Sequence, residues 1–125
     1  MKIAKVMNRV VVIDRDIRLS EAAKIMSKRG IGSLLVFKDK KISGIITERD
    51  VLKNVKNLGS KISKVMSKNV ICVDENDSLE DAALLMSKHK IKRLPVLKNK
   101  KVTGIITATD ILAHSNDLNE EFFFE

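Results

Sequence analysis

Gly44-Ile45-Ile46-Thr47-Glu48-Arg49-Asp50 returns sixty residues later as Gly104-Ile105-Ile106-Thr107-Ala108-Thr109-Asp110. In both copies a glycine-led apolar triplet runs into Thr-x-x-Asp and then into Val51-Leu52 or Ile111-Leu112. That is the pattern of a buried strand ending where a helix begins, a junction that leaves backbone N–H groups free for a cap or a polar ligand. The remainder of the chain is organised around this pair.

Working outward, residues 19–52 align with 79–112 without a gap, and 18 of the 34 aligned positions are identical. Ahead of them, Ile3-Ala4-Lys5-Val6-Met7 matches Ile62-Ser63-Lys64-Val65-Met66 at an offset of 59, so the second copy carries one extra residue before its first helix. The chain is a duplication, with one repeat over 1–56 and a second over 57–116.

Each repeat reads as strand, helix, strand, strand, helix, an α+β arrangement. The β-branched runs at 10–13 and 70–73 suit short buried strands. Leu19, Ala22, Ala23 and Met26, repeated as Leu79, Ala82, Ala83 and Met86, lie at i, i+3, i+4 and i+7 and form one apolar helical stripe. Ser78 is placed to cap the second of these helices. Arg18 holds the matching position in the first, which leaves Asp16 as the candidate cap there. Residues 31–37 and 91–97 read as second strands, 42–46 and 102–106 as third strands, joined by lysine-rich turns. Pro95, which lacks an N–H, fits a strand near an edge or end better than a central one. Gly59 in the connection 53–61 is read as a helix stop.

A half of about 60 residues would bury only about 60% of its unfolded surface and be marginal alone. The 125 residues therefore form one compact unit, or two halves that need each other. Hydrophobic content of 44% and charged content of 32% are those of an ordinary soluble globular protein. With no apolar run of about 20 residues and no signal-peptide pattern at Met1-Lys2-Ile3-Ala4-Lys5, the expectation is a cytoplasmic chain without a membrane partner. Cys72, the single cysteine, lies in an apolar run and reads as core filler. His89 and His114 have no partners at metal-ligand spacing, so no metal site is expected.

The formal charge of +8 invites a nucleic-acid reading, but the bases are spread along both repeats. The small groups at Lys38-Asp39-Lys40-Lys41 and Lys98-Asn99-Lys100-Lys101 sit where solvated hairpin turns belong. Aromatic residues make up 3%, with no Trp or Tyr to stack bases. A nucleic-acid partner remains the alternative to an anionic small ligand. The tail 117–125 differs: four acidic residues, no bases, and Phe122, Phe123 and Phe124. It reads either as a frayed terminus or as an apolar segment that docks on a partner subunit.

The duplicated order, the Val-Met lead-in, Ser78-Leu79-Glu80-Asp81-Ala82-Ala83, Ile91-Lys92-Arg93-Leu94-Pro95-Val96 and Gly-Ile-Ile-Thr-x-x-Asp together resemble CBS domains, named after cystathionine beta-synthase. The resemblance covers residues 1–113 and leaves only the tail unexplained. It implies a stand-alone CBS pair, two β-α-β-β-α repeats packed through their sheets with pseudo-two-fold symmetry. Such pairs dimerise into a flat disc and bind AMP, ADP, ATP or S-adenosylmethionine.

The resemblance also implies a site that draws on both repeats. Asp110 would take ribose hydroxyls, with Thr107 and Thr109 near ribose and phosphate. Val11, Val12, Ile31 and the Gly32 backbone would hold adenine, Ile105 would lie against the ring, and Arg93 and Lys92 would meet phosphate. In the second site Asp50 would take the ribose, with Thr47, Arg49 and Ile45 beside it, while Val70, Ile71, Ile91 and Lys92 would line adenine. The chemistry suits such ligands: a carboxylate accepts from vicinal hydroxyls, and branched side chains give a flat apolar slot for a purine.

Thr-x-x-Asp is equally the spacing of a capping box with Asp in place of Glu or Gln, and the two roles can coexist. The repeats diverge where charge matters. Lys92-Arg93 stands opposite Gly32-Ser33, and Ala108-Thr109 opposite Glu48-Arg49, so the Asp110 set is expected to bind AMP-like anions more tightly. No nucleophile with a base, paired carboxylates or metal set is visible, and the expectation is a regulatory, energy-sensing module rather than an enzyme. It would need no cofactor beyond its ligand, AMP being favoured, and would signal to an effector protein on another chain.

Overall fold

The computed structural model describes residues 1–114. The tail 117–125, with its three phenylalanines, lies outside the described residues. The chain divides into two compact units, Val10–Val70 on one side and Met1–Arg9 with the chain from Ile71 onward on the other. The sequence repeats mark what was duplicated; the compact units are cut so that the lead-in of each repeat folds with the strands of the other.

In the unit Val10–Val70, β1 (Val12–Ile13) pairs parallel with β2 (Ser33–Lys38), which pairs antiparallel with β3 (Lys41–Thr47). Helix α1 (Leu19–Arg29) buries Leu19, Ala22 and Met26 of the stripe read from the sequence, with Ala23 only half-buried, against Leu34, Val36 and Ile46 of the sheet. It ends on Gly30 in the left-handed region (φ 63°), whose N–H returns to Met26 and Ser27 carbonyls. Glycine takes this conformation without steric cost. The short α2 (Glu48–Lys53) follows β3, and α3 (Ile62–Val65) is the lead-in of the second repeat, with Ile62 fully buried in this core.

The other unit repeats the plan. Strand β4 (Val73–Asp74) pairs parallel with β5 (Arg93–Lys98), and β5 antiparallel with β6 (Lys101–Thr107). Helix α4 (Leu79–His89) buries Leu79, Ala82 and Met86 but leaves Ala83, the fourth residue of the expected stripe, exposed, and α5 (Ala108–Ala113) closes the unit. Here the lead-in of the first repeat supplies Ile3 and Val6 to the core. Its backbone is pinned by Ile3 N–H to Asp77 O at 2.9 Å, Ala4 N–H to Glu75 O at 3.0 Å, and a two-way pair between Asn8 and Ile105 at 2.8 and 3.0 Å. Ser67 of the second lead-in makes the same two-way pair with Ile45, at 3.0 Å each way.

Three local expectations are corrected. Asp16 does not cap α1; its carboxylate accepts from Ser63 N–H at 3.0 Å and Ser63 Oγ–H at 2.6 Å, securing α3 instead. Gly59 does not stop α2, which ends at Lys53 with the Asn54 amide donating to Asp50 O at 2.7 Å; the Gly59 carbonyl accepts from the Arg18 guanidinium. Pro95 sits in the central strand β5. It is tolerated there because pairing with β4 starts one residue further on, at Val73–Val96. In the other unit Leu35 N–H donates to Val11 O at 3.0 Å, a bond that Pro95 cannot make.

The hairpin turns Asp39-Lys40 and Asn99-Lys100 have positive φ at both residues, 53° and 64°, then 50° and 65°. They are two-residue type I′-like connections that match the twist of the strands. Cys72 is half-buried rather than a core residue, and burial pushes its thiol pKa up.

Candidate ligand-binding site

The two Thr-x-x-Asp junctions form in the same way because the same residues precede and follow them. Thr47 and Thr107 end their strands in extended backbone (φ −121° and −116°) and stand at the N-caps of α2 and α5. Asp110 Oδ2 accepts from Thr107 N–H at 2.9 Å and Thr107 Oγ1–H at 2.8 Å. Asp50 Oδ2 accepts from the corresponding Thr47 groups at 2.8 and 3.2 Å. Both are therefore capping boxes. Capping uses Oδ2 in each, and no donor among the described residues meets either Oδ1.

What lies around each carboxylate differs. Arg93 is the cross-strand partner of Thr107, on the same sheet face, and half-buried. The carbonyl of Lys92 accepts from Ala108 N–H at 2.8 Å, which ties the start of β5 to the first turn of α5. Asp110, Thr107, Thr109, Arg93, Lys92 and Ile105 are thus brought together at one mouth, with Thr109 and Lys92 exposed and Ile105 buried. In the other unit Ser33 opposes Thr47 and Gly32 O accepts from Glu48 N–H at 3.0 Å, so within that unit Arg49 is the cation expected beside Asp50.

The expected apolar contributors are placed as follows. Val11 and Val12 lead into β1, and Val12 keeps 38% of its surface exposed although it is apolar. Ile45 is buried in β3, and Val70 is half-buried at the end of its unit. Ile71 and Ile91 pack on the core of the unit that carries Asp110. Ile31 helps line a groove of about 410 Å³ between α1 and α2, with Ala23, Met26, Val51 and Leu52.

Asn8 was missed by sequence reasoning. Its Nδ2 donates to Asp110 Oδ2 at 2.7 Å, across 102 residues of chain. The available signal was the lead-in itself, Val-Met-Asn in one repeat against Val-Met-Ser in the other. Gly104 explains how Asn8 comes so close. A Cβ there would stand 2.8 Å from Asn8 O and 2.9 Å from Met7 Sδ. Gly44 does the same for Met66 and Ser67, at 2.5 Å from Met66 Sδ and 2.9 Å from Ser67 O. Among the described residues no group of three or more His, Cys, Asp or Glu is placed to hold a metal ion.

A family model described as CBS domain matches residues 3–57 and 62–117. The uncharacterized protein MJ1232 of Methanocaldococcus jannaschii is 34% identical over 101 residues, covering 80% of this chain and 34% of that protein. The chain therefore spans about a third of that relative's length. CBS domain-containing protein YhcV of Bacillus subtilis is 32% identical over 97 residues, 74% of this chain and 69% of that protein. In three dimensions the chain is similar to the CBS domain pair of protein MJ0100 in complex with 5-methylthioadenosine and S-adenosyl-L-methionine. The TM-score is 0.86 at 29% identity, over 94% of this chain and 98% of that one.

Proposed function

This chain belongs to the CBS-domain family, and from that premise we propose that it is a regulatory module that binds an adenosyl ligand at its Thr-x-x-Asp junctions and signals occupancy to a partner protein. The observation that carries the reading is the likeness, over 94% of the chain, to a CBS pair whose structure holds two adenosyl compounds. The site chemistry agrees with it. Asp110 has one oxygen engaged in capping and the other available to a ribose hydroxyl, and Arg93, cross-strand from Thr107, is a cation suited to an anion. For adenine, the family resemblance assigns Val11, Val12, Ile31, Gly32 and Ile105 to the Asp110 ligand, and Val70, Ile71, Ile91 and Lys92 to the Asp50 ligand.

AMP is the favoured ligand. A triphosphate calls for more cations than Arg49 supplies at the Asp50 junction, where Glu48 adds an opposing charge. The module acts without catalysis or cofactor, in the cytoplasm; among the described residues no helix is long and apolar enough to cross a membrane. It pairs with a second copy, for which leucines exposed on its helices, among them Leu52 (71%) and Leu84 (69%), offer apolar contacts. Ligand binding changes the output only by favouring one arrangement of the assembly over another.

A thermal-shift panel of AMP, ADP, ATP, S-adenosylmethionine and 5-methylthioadenosine tests this. A ligand at 100 times its Kd adds about 2.7 kcal/mol to the native state, so the melting temperature should rise by several degrees for at least one. No rise with any of the five removes the reading. The charge of +8 favours one competing function, nucleic-acid binding. Binding to random DNA that falls steeply with salt, together with a silent ligand panel, would establish that alternative.

A further inference from the structure

Asn8 belongs to no set derived above, yet it reaches the one side chain on which the adenosyl reading turns. Its backbone is fixed by the two-way pair with Ile105, and its amide nitrogen lies 2.7 Å from Asp110 Oδ2. The amide can take only one orientation here: nitrogen toward the carboxylate, since the reverse would set two acceptors against each other. That orientation directs the amide oxygen away from Asp110 Oδ2. Asp110 Oδ2 already accepts from Thr107 N–H, Thr107 Oγ1–H and Asn8 Nδ2–H, and three donors leave it little capacity for another. A vicinal diol presented to this carboxylate therefore finds a single carboxylate oxygen with free capacity, Oδ1, while the Asn8 amide held against the same carboxylate carries an acceptor oxygen of its own. Neither meets a donor among the described residues.

We infer that Asn8 is a specificity-determining residue of the Asp110 site: its amide oxygen reads one ribose hydroxyl while Asp110 Oδ1 reads the other. The inference rests on the adenosyl reading and adds to it the residue that makes the two junctions unequal toward sugar as well as charge. At the other junction Ser67 occupies the same backbone place against Ile45, but its shorter side chain makes no bond to Asp50 among the described residues. Asp50 keeps only its two Thr47 donors, so both hydroxyls must be read by that one carboxylate.

The test is calorimetry with AMP, 2′-deoxy-AMP and 3′-deoxy-AMP on the whole chain, as wild type, Asn8→Ala and Asn8→Asp. One neutral hydrogen bond is worth about tenfold in affinity. Asn8→Ala should weaken AMP at the tighter site by about that factor. It should leave the affinity for one of the two deoxynucleotides unchanged, since that ligand already lacks the hydroxyl Asn8 reads. Asn8→Asp, the same size but without the donor and with a second negative charge, should lose at least as much. A uniform loss across all three ligands would make Asn8 a structural tie and overturn the inference, as would AMP affinity equal to or above wild type. If the wild-type chain binds AMP, any such failure belongs to Asn8 alone; if it binds none of the three, the diol reading and this inference fall together.

Discussion

Replacing Gly104 with alanine should cost far more stability than a surface methyl normally does. The added Cβ would stand 2.8 Å from the Asn8 carbonyl oxygen, 2.9 Å from Met7 Sδ and 3.1 Å from Met7 Cγ. Carbon–oxygen contacts settle at about 3.3–3.6 Å, so the Asn8 carbonyl must retreat by about 0.5 Å. That carbonyl accepts from Ile105 N–H at 3.0 Å, and the retreat takes the bond past useful length. Losing it costs about 1 kcal/mol, and forcing a methyl into filled space adds about 1–3 kcal/mol. Alanine's smaller unfolded-state entropy gives back about 0.5–1 kcal/mol. The net loss is about 1–3.5 kcal/mol, roughly 5–15 °C in melting temperature for a chain of this size. Urea and thermal denaturation of Gly104→Ala beside Gly59→Ala would measure it. A Cβ at Gly59 meets nothing within 4 Å and its φ is not positive, so that control should melt a few degrees above wild type, from the entropy gain of about 0.5–1 kcal/mol alone. A Gly104→Ala protein melting within 2 °C of wild type, an allowance of roughly 0.5 kcal/mol, would refute the close approach of the Met1–Arg9 segment to β6.

Other expectations follow from single residues. Lys90 ends α4 at φ 54° where Gly30 ends α1, so Lys90→Gly should stabilise the chain by about 1 kcal/mol, read as a rise in melting temperature. Asp16 is held below the ordinary carboxylate pKa, first by the Ser63 hydroxyl and then by the Ser63 N–H. Its contribution is therefore complete above the unfolded value near 3.8 and lost as pH falls through the lower folded value. Asp16→Asn should flatten that acid limb of the stability–pH curve and leave the slope near neutrality unchanged. In calorimetry with AMP, Asp110→Ala should weaken the tighter site at least tenfold, as loss of one or more hydrogen bonds to a charged group implies, while Asp50→Ala affects the weaker; the reverse order would overturn the assignment based on Lys92 and Arg93.

Much of this was legible in the residues because it is local or repeated. The stripe Leu19, Ala22, Met26 needed only helical periodicity, and the turns only their length between two apolar runs. The capping boxes followed from Thr-x-x-Asp spacing, which on its own favoured capping over ligand binding without excluding either. What escaped was non-local. Two nearly identical lead-ins, Ile-Ala-Lys-Val-Met and Ile-Ser-Lys-Val-Met, carry no mark of which repeat each will pack with, so the exchange could not be read, nor Asn8 placed at Asp110. Pro95 misled for a related reason: whether a missing N–H matters depends on where the neighbouring strand begins, which is set by residues more than twenty positions away. Asp16 was assigned to the nearest helix in sequence, while a helix more than forty residues on held the better donors.

The exchanged lead-ins also set an order of events as the chain is made. Residues 10–70 form a compact unit whose chain is complete once residue 70 has emerged, whereas Met1–Arg9, synthesised before it, must wait for Glu75, Asp77 and finally Ile105. At roughly 5–20 residues per second that wait is about 5–20 s. Throughout it the growing chain trails an unmatched segment bearing Ile3 and Val6, side chains that end fully or almost fully buried.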